Sequence, residues 1–403
     1  MVEDGTRRSG RVGAEISLEE LENDPYPVYA WLRKSEPVAW VDALRMWYVT
    51  RYSDVEAVLL DTDLFTTVSE QSTILDTFGE HMLTSEGVEH ARYRQATQKS
   101  FMPASLRQSA EPLIGLLVDR LIESFGALGR SELRASFESR LPIQTMLMMV
   151  GLPLEDEPHL RRWYDDFGKA LANFTGDQTI RAAARRSITE LHRHLDRAMS
   201  ALEGRDTATL LGALVNAAPD RRLTDEEIKR NAAIILFGGI STVEALILNT
   251  LWALFEHPEI MTRVRTEFNL LPRAIDETIR WQSPVQSATR HVTRDTEFRG
   301  ARMRAGDVVN CMIGAANRDP HIFREPDRFD IERVGSAHHL GFATGPHACL
   351  GFRLARVEAR IALERLFTAL PDMSLIPEES SPPEGYEFRQ PKRLTVSWNK
   401  KAV

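Results

Sequence analysis

The chain has 403 residues, 43% of them hydrophobic, enough to bury a large core. Its 50 basic and 58 acidic residues leave a net charge of −8, which argues against a nucleic-acid surface, because that needs a basic patch or stripe. Only two cysteines, Cys311 and Cys349, are present, which argues against a secreted disulfide framework and for the reducing cytosol.

Residues 1–15 start without an apolar run, so no signal peptide or membrane anchor is expected there, and this segment reads as a disordered tail. Residues 18–34 show helical spacing from near Ser17. Trp40 to Thr50 reads as a strand and 53–60 as a short helix behind Ser53 as N-cap. Residues 62–88 lack clear periodicity and read as a long, partly mobile loop of the kind that carries function. From 104 to 215 the pattern is helical, with breaks near Gly126–Ser131, Gly151–Pro153 and Gly204.

Residues 224–256 are the most apolar stretch. Thr224 and Glu227 make a capping box, and His257-Pro258 ends the run, so a single helix ~50 Å long is expected. Ser241, Thr242, Glu244, Asn249 and Thr250 interrupt it, which favours the centre of a large protein over a membrane span. A helix at 272–282, strands at 288–299 and 307–313, a helix at 350–369 and a strand-like tail follow. No repeat or low-complexity linker occurs. A mainly α domain with a minor β part is expected over 16–403.

In Phe342-Ala-Thr-Gly-Pro-His-Ala-Cys349-Leu-Gly-Phe-Arg-Leu-Ala-Arg356, a glycine-bearing loop delivers a cysteine to the start of a helix. Unpaired helix N–H groups favour a thiolate there. Gly345 and Gly351 leave room for a flat cofactor against the backbone. This stretch resembles the haem-binding loop of the cytochrome P450 family. The resemblance implies haem b, with Cys349 as the iron ligand, His347 on a haem propionate and Phe342 beside the sulfur. It also implies the family fold, with haem between the central long helix and the cysteine-loop helix. Ala343 stands where the family has glycine. Cys311 lies in an apolar run and reads as core.

Glu277 and Arg280, three apart, share one helix face. They resemble the family's Glu-x-x-Arg pair, which implies a buried ion network with Arg328 or Arg333 as third member. His90 and Arg94 resemble its His-x-x-x-Arg element, and Arg290 its propionate-binding arginine. Charge-assisted bonds to carboxylate suit all four groups, His347 included.

Phe237-Gly-Gly-Ile-Ser-Thr-Val243 places Gly238 and Gly239 inside the central helix, at a cost of roughly 2 kcal/mol against alanine. The segment resembles the family's oxygen-binding bend. Thr242 matches its proton-delivering threonine, while Ser241 stands where the family has an acid. Three readings are open: serine with ordered water suffices, the substrate completes the relay, or the chemistry is peroxygenase, coupling or isomerase chemistry. Glu244 faces the wrong way for easy recruitment. Ile234, Phe237, Gln286, Phe388 and the loop around Thr73–Phe78 are the expected substrate contacts. The resemblance implies a soluble, cytoplasmic, monomeric monooxygenase, fed by a ferredoxin and its reductase, that acts with O₂ on a small or mid-sized lipophilic substrate.

Overall fold

The computed structural model describes residues 13–173, 176–205 and 208–400. The expected tail lies outside these residues up to position 12, and Gly13–Glu15 already form a 3-10 turn.

A mixed sheet holds one side of the molecule. Its strands are β1 (Val38–Val41), β2 (Met46–Val49), β3 (Phe65–Thr66), β4 (Ser287–Val292) and β5 (Val308–Met312), in spatial order β1-β2-β5-β4-β3. Only the β2–β5 pair is parallel. The single strand expected over 40–50 is therefore a hairpin, with Val41 opposite Met46. Cys311 sits in β5, fully buried among Val49, Val309 and Ile313, and burial pushes its thiol up to about 12. That chemistry is inert, as expected of a core residue.

The helical side contains the elements that frame the site: α1 (Thr73–Phe78), α2 (Gly87–Thr97), α3 (Glu157–Leu171), α4 (Gln178–Leu202), α5 (Asp225–Gly238), α6 (Ser241–Glu256), α7 (Leu271–Trp281) and α8 (Phe352–Ala369). One continuous apolar cluster joins them, from Phe78 through Trp163, Ile247 and Ile275 to Leu366.

Several sequence expectations change. The helix at 18–34 is two helices, Leu18–Asn23 behind the Ser17 capping box and Tyr26–Ser35, because Pro25 cannot continue the first. The helix expected from 53 is Tyr52–Leu60, and Ser53 is not its cap. Residues 62–88 are ordered into β3, α1 and a 3-10 turn at Met82–Thr84 rather than left as a loop. The central apolar run starts on the predicted Thr224–Glu227 capping box. It is broken at Gly239 and Ile240, whose dihedrals leave the helix, so α5 and α6 meet at a bend. Asp225–Glu256 is apolar and long enough to cross a membrane, but 67% of its most apolar window is buried inside the protein.

Candidate active site

A cavity of about 310 Å³ lies between the α5–α6 bend and the loop that leads into α8. The bend contributes Ile234, Gly238, Gly239 and Thr242, and the loop contributes Phe342, Ala343, His347, Cys349 and Gly351. Helix α2 adds His90 and Arg94 one turn apart. Nothing lies within 4 Å of a Cβ placed on Gly238 or on Gly351, so the cavity is open against both backbones. Gly239 does a different job: a Cβ there would collide with the Met146 sulfur.

The cysteine loop is held by its own backbone. The Cys349 amide donates to the Phe342 carbonyl at 2.8 Å, and the Phe342 ring lies under the Arg356 guanidinium at 4.5 Å. Arg356 is fixed in turn by Asp276 at 2.6 Å. Gly345 adopts φ +74, and a Cβ there would approach the Leu59 carbonyl oxygen to 2.8 Å, so only glycine fits without displacement. Ala343 also lies in the left-handed region, at φ 55. The conformation is one in which glycine costs less, and alanine carries it here with strain of about 1–2 kcal/mol.

Cys349 opens onto the cavity but is ringed by protein. Burial raises its thiol, while the amides of Gly351 and Phe352 and the guanidiniums of Arg94 and Arg356 pull it down. Burial prevails. The helix start alone therefore does not deliver the thiolate that the loop was expected to stabilise, whereas coordination to a metal cation deprotonates a thiol outright.

The cationic residues gather on one side. Burial lowers the pKa of both Arg94 and Arg290. Neither is within ion-pair distance of a carboxylate among the described residues, and Arg290 Nε lacks any hydrogen-bond partner there. A buried Arg290 and a half-buried Arg94 in this state suit an anionic ligand. Arg290 projects from β4 and lies just outside the cavity wall, its Nη1 donating to the Thr289 carbonyl at 2.8 Å. The His90 and His347 rings are 4.3 Å apart. His347 Nε2 is 2.9 Å from Glu86, a residue no motif singled out. Burial raises the Glu86 carboxyl, but the bonds from His347 and Thr67 outweigh it and hold it at about 2. This donor set fits haem: one sulfur for the iron, cations for its carboxylates, and glycine-walled faces for its plane.

Glu277 and Arg280 are both fully buried and joined by two bonds, of 2.7 and 2.8 Å. Arg333 donates to the same carboxylate at 3.0 Å. Of the two arginines considered as third member, Arg328 supplies only its carbonyl, at 3.0 Å from Arg280.

Three expected substrate contacts, and with them the whole Thr73–Phe78 segment, lie off the cavity wall. Gln286 turns away and packs beside Gly314, its Nε2 donating to the Ser283 carbonyl at 2.6 Å. Phe388 is 46% exposed, and its backbone bridges to Val285. Phe237 stacks on Tyr164 at 4.9 Å and contacts Phe78 of α1 at 5.6 Å. Ser241 is also outside the wall, and its hydroxyl is bonded to the Tyr164 hydroxyl. The Thr242 hydroxyl donates to the Gly238 carbonyl at 2.9 Å and so supports the bend. Glu244 is occupied elsewhere, with Arg134 Nε at 2.6 Å and Gln390 at 3.4 Å. Met82, Leu83, Phe101, Met146 and Leu246 line the cavity without having been marked by any motif. They are ordinary apolar residues on separate elements, and only the tertiary fold brings them together.

The family model for cytochrome P450 matches residues 166–387. The chain is 33% identical to the cytochrome P450 monooxygenase PikC of Streptomyces venezuelae, over 94% of this chain and 92% of PikC. The crystal structure of CalO2 superposes with a TM-score of 0.86 at 29% identity, covering 96% of this chain and 98% of that one. P450BioI, solved in complex with an acyl carrier protein ligated to hexadec-9Z-enoic acid, superposes with a TM-score of 0.85 at 28% identity, covering 94% and 99%.

Proposed function

Since the chain belongs to the cytochrome P450 family of monooxygenases, we propose that it binds haem b through Cys349 and inserts one oxygen atom of O₂ into a small or mid-sized lipophilic substrate. The balance is RH + O₂ + 2e⁻ + 2H⁺ → ROH + H₂O, with electrons passed from NAD(P)H by a reductase and a ferredoxin. The observation that carries this reading is the placement of Cys349 and Thr242 on one cavity, between glycine-lined walls.

The bound haem supplies the oxygen-activating chemistry, tuned by its thiolate ligand. The protein does the rest. Cys349 is aimed by the Phe342 carbonyl and by the start of α8. His90, Arg94 and His347 on the wall, with Arg290 behind it, would hold the carboxylates and fix the plane. Ile234, Leu246, Val285 and Met82 give an apolar surface that orients a lipophilic molecule and limits water near the reacting carbon. Thr242 holds a hydroxyl at the bend, where protons must arrive. Both cysteines are free, as a reducing cytosol favours.

The test is a substrate screen on the haem-loaded protein, following the iron spin-state shift, and then product analysis with ferredoxin, reductase and NADPH under ¹⁸O₂. One ¹⁸O atom per product molecule is expected. Product formed only with added peroxide, and none with the electron-donor chain, would overturn the monooxygenase reading in favour of peroxygenase chemistry.

A further inference from the structure

The bend carries serine where an acid belongs, and the neighbouring acid on the helix is taken. Glu244 is buried against Arg134 and Gln390 and cannot turn towards Thr242 without abandoning both. What stands beside Ser241 instead is a phenol from another element. Tyr164 lies on α3, and its hydroxyl and Ser241 Oγ are hydrogen-bonded. The ring is held in place by its stack on Phe237, at 4.9 Å and 21° between planes. Phe237 is braced in turn by Phe78 at 5.6 Å, and Phe78 by Phe167 of α3 at 4.9 Å. Tyr164, Ser241 and Thr242 are each only partly buried, and Ser241 is the immediate chain neighbour of Thr242 on the cavity wall, whose own hydroxyl is bonded to the Gly238 carbonyl.

We propose that Tyr164 replaces the missing acid as the positioning residue of the distal bend, fixing the Ser241 hydroxyl and passing it protons from solvent. This rests on the monooxygenase reading above. In one transfer, water gives a proton to Tyr164 Oη as the phenol proton moves to Ser241 Oγ. The proton already on Ser241 leaves through water on the Thr242 side. Three O–H bonds form and three break, no electrons move, and both hydroxyls end as they began. The phenol is suited to this role rather than to that of a base. Burial, opposed by the Ser241 bond, raises it to about 12, so at neutral pH it carries its proton. Because Tyr164 and Ser241 belong to different helices, the relay is complete only while α3 is seated on the α5–α6 bend.

The experiment uses the haem-loaded protein with ferredoxin, reductase and NADPH, without organic substrate. It measures peroxide released per NADPH oxidised, in H₂O and D₂O. Tyr164→Phe is expected to raise the peroxide share roughly threefold or more, a small part of what a positioned proton-transfer group contributes. Ser241→Ala cuts the same bond with less change in packing and should give the same rise. The double variant should exceed neither, and Ser241→Asp placed in Tyr164→Phe should restore the parent share. Two readouts stand apart from turnover. Imidazole affinity by its optical shift should stay within about twofold of the parent, in line with a bond that carries protons rather than binding energy. In the haem-free protein, ultraviolet resonance Raman should show one of the seven tyrosines losing its hydrogen-bond signature in Ser241→Ala. An unchanged peroxide share in either single variant, a rise that Ser241→Asp does not reverse, or an unchanged Raman spectrum would overturn the proposal. Failure of the parent itself to bind haem as a thiolate complex would instead overturn the functional reading beneath it.

Discussion

Glu277→Gln removes one charge from an ion network whose central pair, Glu277 and Arg280, is fully buried. The Glu277 carboxylate accepts both Arg280 bonds, at 2.7 and 2.8 Å, Arg333 at 3.0 Å and the Asp330 amide at 2.9 Å. Arg280 is fully buried, and its remaining donors are spent on the carbonyls of Asn317, Pro326 and Arg328. Glutamine offers one acceptor oxygen and turns an NH₂ group towards guanidinium donors, so two cations are left in the interior without a counter-charge. Breaking a buried pair in this way costs about 3–5 kcal/mol. An unfolding entropy of about 2.1 cal/mol/K per residue amounts to about 0.85 kcal/mol/K for a chain of this length, so Tm should fall by about 4–6 °C. The assay is thermal unfolding of the haem-loaded protein by circular dichroism, with the yield of loaded protein recorded alongside. The surface pair Arg273–Glu332, whose side chains are about half exposed, is the control. Arg273→Gln should move Tm by about 1 °C or less. A Glu277→Gln protein melting within about 1 °C of the parent would refute the claim that this network is a buried, stability-determining one.

A second buried acid makes an opposite prediction with pH. Glu358 on α8 is fully buried, and burial pushes its carboxyl up to about 8. The folded state therefore holds a proton that the unfolded state releases near 4.5, so stability is full below that pH and is lost as pH rises towards 8, at about 1.4 kcal/mol per pH unit. Glu358→Gln should leave Tm unchanged at pH 4.5 and raise it at pH 8 in a thermal scan, and equal shifts at both would contradict this. Gly345→Ala forces a side chain into φ +74 against the Leu59 carbonyl. It should cost about 1–3 kcal/mol and reduce haem retention during gel filtration, whereas parent-like retention would show that the loop tolerates the strain.

The features carried by local chemistry were legible in the sequence. The Thr224–Glu227 capping box starts α5 where expected, the cysteine loop feeds α8, and Glu277 meets Arg280 one helical turn on. Features set by distant partners were not. The helix expected to be capped by Ser53 starts one residue earlier, because the Tyr52 amide donates to Asp319 Oδ2 at 3.0 Å, a cap from 267 positions away. The hairpin at 38–49 was hidden because its turn uses Arg45 at φ 55 instead of glycine or asparagine. Residues 62–88 read as a loop because their order comes from outside, through the Thr73 hydroxyl to the Leu171 carbonyl at 3.1 Å and the Met82 amide to Asn231 at 3.0 Å. Tyr164 carries no motif at all. Its meaning arises only when α3 is laid across the bend, 77 positions from Ser241.

Cys349 as the thiolate that would hold a haem iron is open to a direct optical test, the carbon monoxide complex of the reduced protein. A red-shifted haem-thiolate Soret band is expected in the parent and its loss in Cys349→His, with haem still bound between the bend and the cysteine loop. A parent protein that binds haem without that band, or a Cys349→His protein that keeps it, would rule out Cys349 as the iron ligand.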